Sequence, residues 1–141
     1  MCAIVGILCR DRAAPVDRLT LQKMADVVRH RGPDGEGFFV AGGVGLGHRR
    51  LAIIDPAAGQ QPMTDLVTGN VIVYNGEVYN YVELRAELRA LGHDLRTDSD
   101  TEVILKAYDQ WGTACLDRLN GMWAFALWDQ RQQLLFLARD R

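Results

Sequence analysis

Cys2 stands directly behind Met1, at the head of the apolar run "MCAIVGIL". Loss of Met1 would leave Cys2 with a free α-amine beside its own thiol. An α-amine has a reference pKa of about 7.7–8.0 and a free thiol about 8.5. One residue would then carry both a general base and a nucleophile. The plainer reading makes Cys2 a small apolar filler in a first strand. The other two cysteines, Cys9 and Cys115, show no paired spacing, and an odd count argues against a disulfide framework. Cys2 and Cys9 would lie on opposite faces of one strand and should not pair. No Cys-x-x-Cys or His-x-x-x-His spacing points to a metal, and the three histidines, His30, His48 and His93, are scattered. They read as structural or surface residues.

The elements that would place Cys2 can be read from patterning. "CAIVGILC" is β-rich and apolar on both faces, which predicts a buried strand. "DRAAPVDRLTLQKMADVVRHRG" predicts a helix with Pro15 in its first turn and Leu21, Met24 and Val28 on one face. Gly and Pro in "RGPDGEG" end it. "GFFVA" and "VGLGHRRLAII" are strand candidates; in the second, Arg49 and Arg50 would point to opposite faces. "DPAAGQQPMTD" reads as a loop. "NVIVYNGEVYN" predicts a strand, a tight turn at Asn75-Gly76 and a short continuation.

Two helices follow. In "YVELRAELRALG", Tyr81, Leu84, Leu88 and Leu91 form the stripe and Gly92 the stop. In "SDTEVILKAYDQWG", Ser99 and Glu102 have capping-box spacing and Gly112 closes the helix. "MWAFALWD" and "QLLFLARD" predict a hairpin about "QRQ". Many antiparallel strands with few helices predict an α+β fold with layered sheets.

Taken in order, "RHRGPDGEG", "HRRLAIID", "QQPM", "NGEVYN", "SDTEVIL" and "GMWAFALWD", behind a second-position cysteine, resemble the N-terminal glutaminase domain of asparagine synthetases. These are class II glutamine amidotransferases within the N-terminal nucleophile hydrolases. The resemblance runs over nearly all of residues 1–141. It implies one glutaminase domain with a four-layer αββα sandwich of antiparallel sheets, truncated at the C-terminus. The implied reaction splits the glutamine side-chain amide into glutamate and ammonia, with Cys2 as the mature N-terminal nucleophile. Its α-amine acts as the base, so that no catalytic histidine is needed. Asn75 and Gly76 become the oxyanion donors. Arg50 matches the arginine that clamps the substrate carboxylate, a task suited to a planar fork. Asp100 matches the residue that holds the substrate ammonium, with Glu77 nearby. Leu51, Ile53 and Ile54 supply backbone or apolar contacts. Arg31 and Asp34 in "RGPD" brace the site without a chemical step. Ala3 departs from the family's usual Gly.

The resemblance implies no cofactor or metal for the glutaminase step. ATP and Mg2+ would serve only a synthetase domain, whose Ser-Gly-Gly-x-Asp-Ser loop is not in this sequence. The expected partners are glutamine, a synthetase domain or partner chain that takes the ammonia, and a second copy of this chain. Aspartate is the default ammonia acceptor, with a sugar or another carboxylic acid as the alternative. Two further readings stand beside this one: an N-terminal nucleophile amidohydrolase for another amide, and a non-catalytic interaction module keeping the fold. Composition narrows the field. The chain has 141 residues, 48% hydrophobic and 24% charged, with a net charge of −2. That balance gives no general attraction to nucleic acid or anionic membrane. No apolar run reaches the ~20 residues of a membrane span, and the first is too short for a signal peptide. Unpaired cysteines fit a reducing, cytoplasmic setting.

Overall fold

The computed structural model describes residues 2–11, 13–52 and 59–141. Two antiparallel sheets lie face to face. The first has β1 (Ala3–Leu8), β2 (Gly35–Ala41) and β3 (Val44–Arg50) in the order β1-β3-β2. The second has β4 (Met63–Thr64), β5 (Val71–Val78), β6 (Gly121–Asp129) and β7 (Leu134–Arg139) in the order β4-β5-β6-β7. Helix α1 (Arg18–Val27) covers the outer face of the first sheet. Helices α2 (Tyr81–Ala90) and α3 (Asp100–Trp111) cover the outer face of the second. The layers therefore run helix, sheet, sheet, helix, as the expected αββα sandwich requires.

Strand alternation divides the core. On β5, Val71 and Val73 face the first sheet and pack with Val44, Leu46, Ala126 and Trp128. Ile72, Tyr74 and Val78 face the helices and pack with Leu84, Leu88, Ile104, Phe125 and Leu127. Each large apolar side chain fully buried in these layers is worth about 1.5–3 kcal/mol of transfer free energy. On β3 the same rule sends Arg50 and Arg49 apart. Arg49 lies against α1, donating to the Ala25 carbonyl and pairing with Asp26 and Glu36.

Several sequence expectations need correction. The strand β1 is an edge strand among the described residues, and Leu8 is exposed. Its two apolar faces meet α1 on one side and the second sheet on the other, without neighbours on both edges. Pro15 precedes α1, whose N-cap is Asp17; the Asp17 carboxylate accepts from the amides of Leu19 and Thr20 at 3.1 and 3.2 Å. Ser99 caps α3 as expected, accepting from the Thr101 amide at 3.1 Å. Glu102 does not complete the box: its carboxylate accepts instead from the amides of Arg96 and Thr97 at 3.0 and 2.7 Å. Leu91 is half exposed and lies outside the α2 stripe. Gly92, at φ +92°, reverses the chain, and His93 donates back to the Leu88 carbonyl at 3.0 Å.

The largest departure is at Asn75-Gly76. These residues form no turn. They sit inside β5, paired with Ala124 and Trp123 of β6. Gly76 has φ +155°, and a Cβ there would overlap the Met122 carbonyl and the Trp123 backbone. The glycine is present for close strand approach, and the Asn-Gly pair imitates a turn signal.

Candidate active site

A cleft opens where the two sheets meet the N-terminus of α3. It is lined by Cys2, Arg50, Leu51, Tyr74, Asn75, Gly76, Glu77 and Asp100, together with Gly59, Gln61, Ser99, Thr101 and Met122. Seven of the nine expected site residues thus meet in one place. Ile53 and Ile54 lie outside the described residues.

Each side chain arrives by a short structural route. Cys2 precedes β1, and its sulfur lies against the residue following β3. The Leu51 amide donates to Cys2 Sγ at 3.3 Å, and Sγ lies 3.5 Å from the Leu51 carbonyl. Arg31 Nε donates to the Cys2 carbonyl at 3.3 Å. Asp34 holds the other side of this junction. Its amide donates to the Arg50 carbonyl at 3.0 Å, and its carboxylate accepts from the Ala52 amide at 2.9 Å. The "RGPD" segment therefore fixes the backbone around Cys2 and Arg50, as the sequence reading expected.

The opposite wall comes from β5 and α3. Asn75 lies on the β5 face that looks toward the first sheet. Its Oδ1 is buried without a hydrogen-bond partner among the described residues. An orphaned buried acceptor is costly, and here it belongs to a residue lining a cleft, where a bound donor can engage it. Asp100, the first residue of α3, is buried. Its Oδ2 accepts from the Tyr74 hydroxyl at 2.7 Å and from the Val78 amide at 3.1 Å. The cleft therefore carries a guanidinium on the β3 wall and carboxylates of Glu77 and Asp100 on the β5–α3 wall. That charge pattern suits a zwitterion.

His48 supports the wall from behind. It is buried between the sheets, and its Nε2 lies 3.1 Å from the Tyr74 carbonyl, so Nε2 carries the proton. Burial lowers its pKa from 6.5 to about 4, with the Arg50 charge adding to that effect and the Tyr74 bond opposing it. It is neutral near pH 7 and stands as a structural residue, as expected. His93 contacts Gln110 at 2.7 Å, and His30 is exposed. Among the described residues no group of three or more His, Cys, Asp or Glu could hold a metal ion. No helix among them is long and apolar enough to cross a membrane. The cysteines are free.

Sequence reasoning missed Gln61, Tyr74 and Thr101. Gln61 Oε1 accepts from the Tyr74 amide at 2.6 Å, and its Nε2 donates to Thr101 Oγ1 at 3.4 Å. Gln61 sits in a polar loop without periodicity, and Tyr74 reads as one more strand aromatic. Their contacts cross between elements, so no local pattern marks them.

The glutamine amidotransferase domain family matches residues 1–141. An asparagine synthetase [glutamine-hydrolyzing] of Bacillus subtilis is 44% identical over 143 residues, covering 100% of this chain and 23% of its own length. A putative one of Mycobacterium tuberculosis is 47% identical over 130 residues, covering 85% of this chain and 20% of the relative. One of Arabidopsis thaliana is 39% identical, covering 99% and 24%. The chain thus spans about a quarter or less of these relatives. Among solved structures, the B. subtilis glutamine phosphoribosylpyrophosphate amidotransferase complexed with ADP and GMP superposes with a TM-score of 0.75 at 21% identity, over 97% of this chain and 37% of that one. Its likeness bears on the fold alone, an α+β sandwich of antiparallel sheets. With a family match along its whole length, the chain belongs to the glutamine amidotransferase domain family.

Proposed function

We propose that this domain hydrolyses the side-chain amide of glutamine to glutamate and ammonia, as the ammonia-supplying part of an asparagine synthetase-like amidotransferase. The observation that carries the reading is the meeting of Cys2, Arg50, Asn75, Gly76, Glu77 and Asp100 around one cleft. Cys2, freed of Met1, acts as the nucleophile, and its α-amine takes the thiol proton directly or through water. The sulfur attacks the amide carbon. The amide oxygen becomes an oxyanion held by the Asn75 side chain and the Gly76 amide; one such donor is worth roughly 3–4 kcal/mol of barrier. Collapse expels ammonia, which receives the proton from the α-amine. Water then hydrolyses the thioester and releases glutamate. Arg50 grips the substrate carboxylate through two parallel hydrogen bonds, Asp100 and Glu77 hold the ammonium, and Leu51 contributes backbone contact.

This step uses no cofactor or metal. ATP and Mg2+ belong to a synthetase domain or partner chain that receives the ammonia, with aspartate as the acceptor. Full-length relatives named asparagine synthetase support that assignment, and free thiols support a reducing, cytoplasmic setting.

Four variants test the reading, with released glutamate measured at varied glutamine. Cys2→Ala abolishes hydrolysis and Cys9→Ala does not. Asn75→Ala lowers kcat about a hundredfold or more, because its donor acts when the oxyanion forms. Arg50→Lys chiefly raises KM. Equal glutaminase activity in wild type and Cys2→Ala would refute the proposal.

A further inference from the structure

Tyr74 lies outside the catalytic roles described above, yet its polar atoms reach three separate elements. Its amide donates to Gln61 Oε1 in the loop before β4 at 2.6 Å. Its carbonyl accepts from His48 Nε2 on β3 at 3.1 Å. Its hydroxyl donates to Asp100 Oδ2 on α3 at 2.7 Å. The ring is 3% exposed and packs in the apolar layer between the second sheet and the helices. A phenol in such a place needs a partner for its single O–H, and Asp100 is that partner.

The bond matters to Asp100 more than to Tyr74. Asp100 is 3% exposed, and a polar group so buried needs hydrogen-bond partners. Two donors, the Tyr74 hydroxyl and the Val78 amide, converge on Oδ2. Two bonds to one oxygen fix the rotation of the carboxylate plane. Oδ1 accepts no hydrogen bond among the described residues, and Asp100 lines the cleft. The carboxylate is thus held by one oxygen, leaving the other to a ligand. Burial, followed by the charge of Asp100, raises the Tyr74 pKa far above its ordinary value of 10.0. The phenol therefore stays protonated and remains a donor.

We infer that Tyr74 is a positioning residue for amine recognition: its hydroxyl orients Asp100 so that Oδ1 meets the α-ammonium of the substrate amino acid. This rests on the glutaminase reading of the same cleft. It goes beyond that reading by making selection of an α-amino acid depend on the hydroxyl that holds Asp100 in place. A purely stabilising hydroxyl would affect all amide substrates alike. A positioning hydroxyl affects only those that carry an amine.

The test compares L-glutamine with 5-amino-5-oxopentanoate, which is glutamine without its α-amine. Wild type, Tyr74→Phe and Tyr74→Leu are assayed for kcat and KM on both. Phe keeps the ring packing and removes only the hydroxyl; Leu also lacks the hydroxyl and provides a second chain if the first fails to melt cooperatively. The expected result is a KM for glutamine raised about tenfold, from loss of one charge-assisted hydrogen bond, with kcat changed less than about twofold. The amine-free analogue should show no matching change, and in an Asp100→Asn background Tyr74→Phe should add nothing. Unchanged KM for glutamine, or equal change for both substrates, overturns the inference and leaves the glutaminase reading standing. Wild type that hydrolyses neither substrate overturns both.

Discussion

His48 shows how a residue without a chemical role still shapes the site. It joins the two sheets through the carbonyl of Tyr74, next to Asn75. Its folded pKa of about 4 lies below the ordinary 6.5. Between those values the unfolded chain binds more protons than the folded one, so stability falls as pH drops from about 6.5 toward 4. The loss on full protonation is on the order of 3 kcal/mol. His48→Gln keeps a side-chain N–H donor and cannot titrate. Wild type should therefore lose its stability advantage over His48→Gln across that window, as read from urea midpoints at each pH. Parallel curves for the two proteins would refute the assignment. Of the residues expected at the site, Cys2 was legible from its place behind Met1, and Arg50 and Asp100 from the resemblance of their short segments to an amidotransferase family; all three line the cleft. Tyr74 and Gln61 act through distant partners at separations of 26 and 40 positions, to Asp100 and Thr101, and leave no local trace.

At the scale of elements, β5 and β6 decide whether the wall of the cleft exists. Strand patterning identified both, because their near-continuous apolar runs reflect burial on two faces. The same patterning misread Asn75-Gly76, because local propensity makes this pair a strong turn former while tertiary pairing with β6 overrides it. The consequence is testable. A surface turn would tolerate Gly76→Ala with a small loss. In the observed strand, an added Cβ meets the Met122 carbonyl and the Trp123 backbone, and φ of +155° is itself strained for alanine. Gly76→Ala should cost about 3 kcal/mol or more and lower the melting temperature sharply. Gly92→Ala makes the informative contrast. Its φ is also positive, but a Cβ there meets nothing within 4 Å, so only the backbone penalty of roughly 1 kcal/mol remains. Similar losses in the two variants would mean that β5 does not approach β6 as described.

Among the described residues, the sandwich is closed by helices on its outer faces and open along one side. The strand β1 ends the first sheet, while the second sheet continues past it to β7. Leu135 and Leu137 lie on the same inner face of β7. Leu135 packs against the intersheet core. Leu137 is 66% exposed, because no described strand of the first sheet lies over it. An edge strand with exposed backbone groups and apolar side chains is a ready template for another strand. A second copy of the 141-residue chain can supply one. The expected outcome is concentration-dependent association of these residues in sedimentation velocity, without loss of secondary structure. Leu137→Lys should weaken it, since a lysine at an exposed edge opposes strand pairing at little cost to a position already in solvent. Leu137 does not line the cleft, so the variant should hydrolyse glutamine at the wild-type rate. A monomer at all concentrations in wild type would show that this edge is closed by its own twist and side chains.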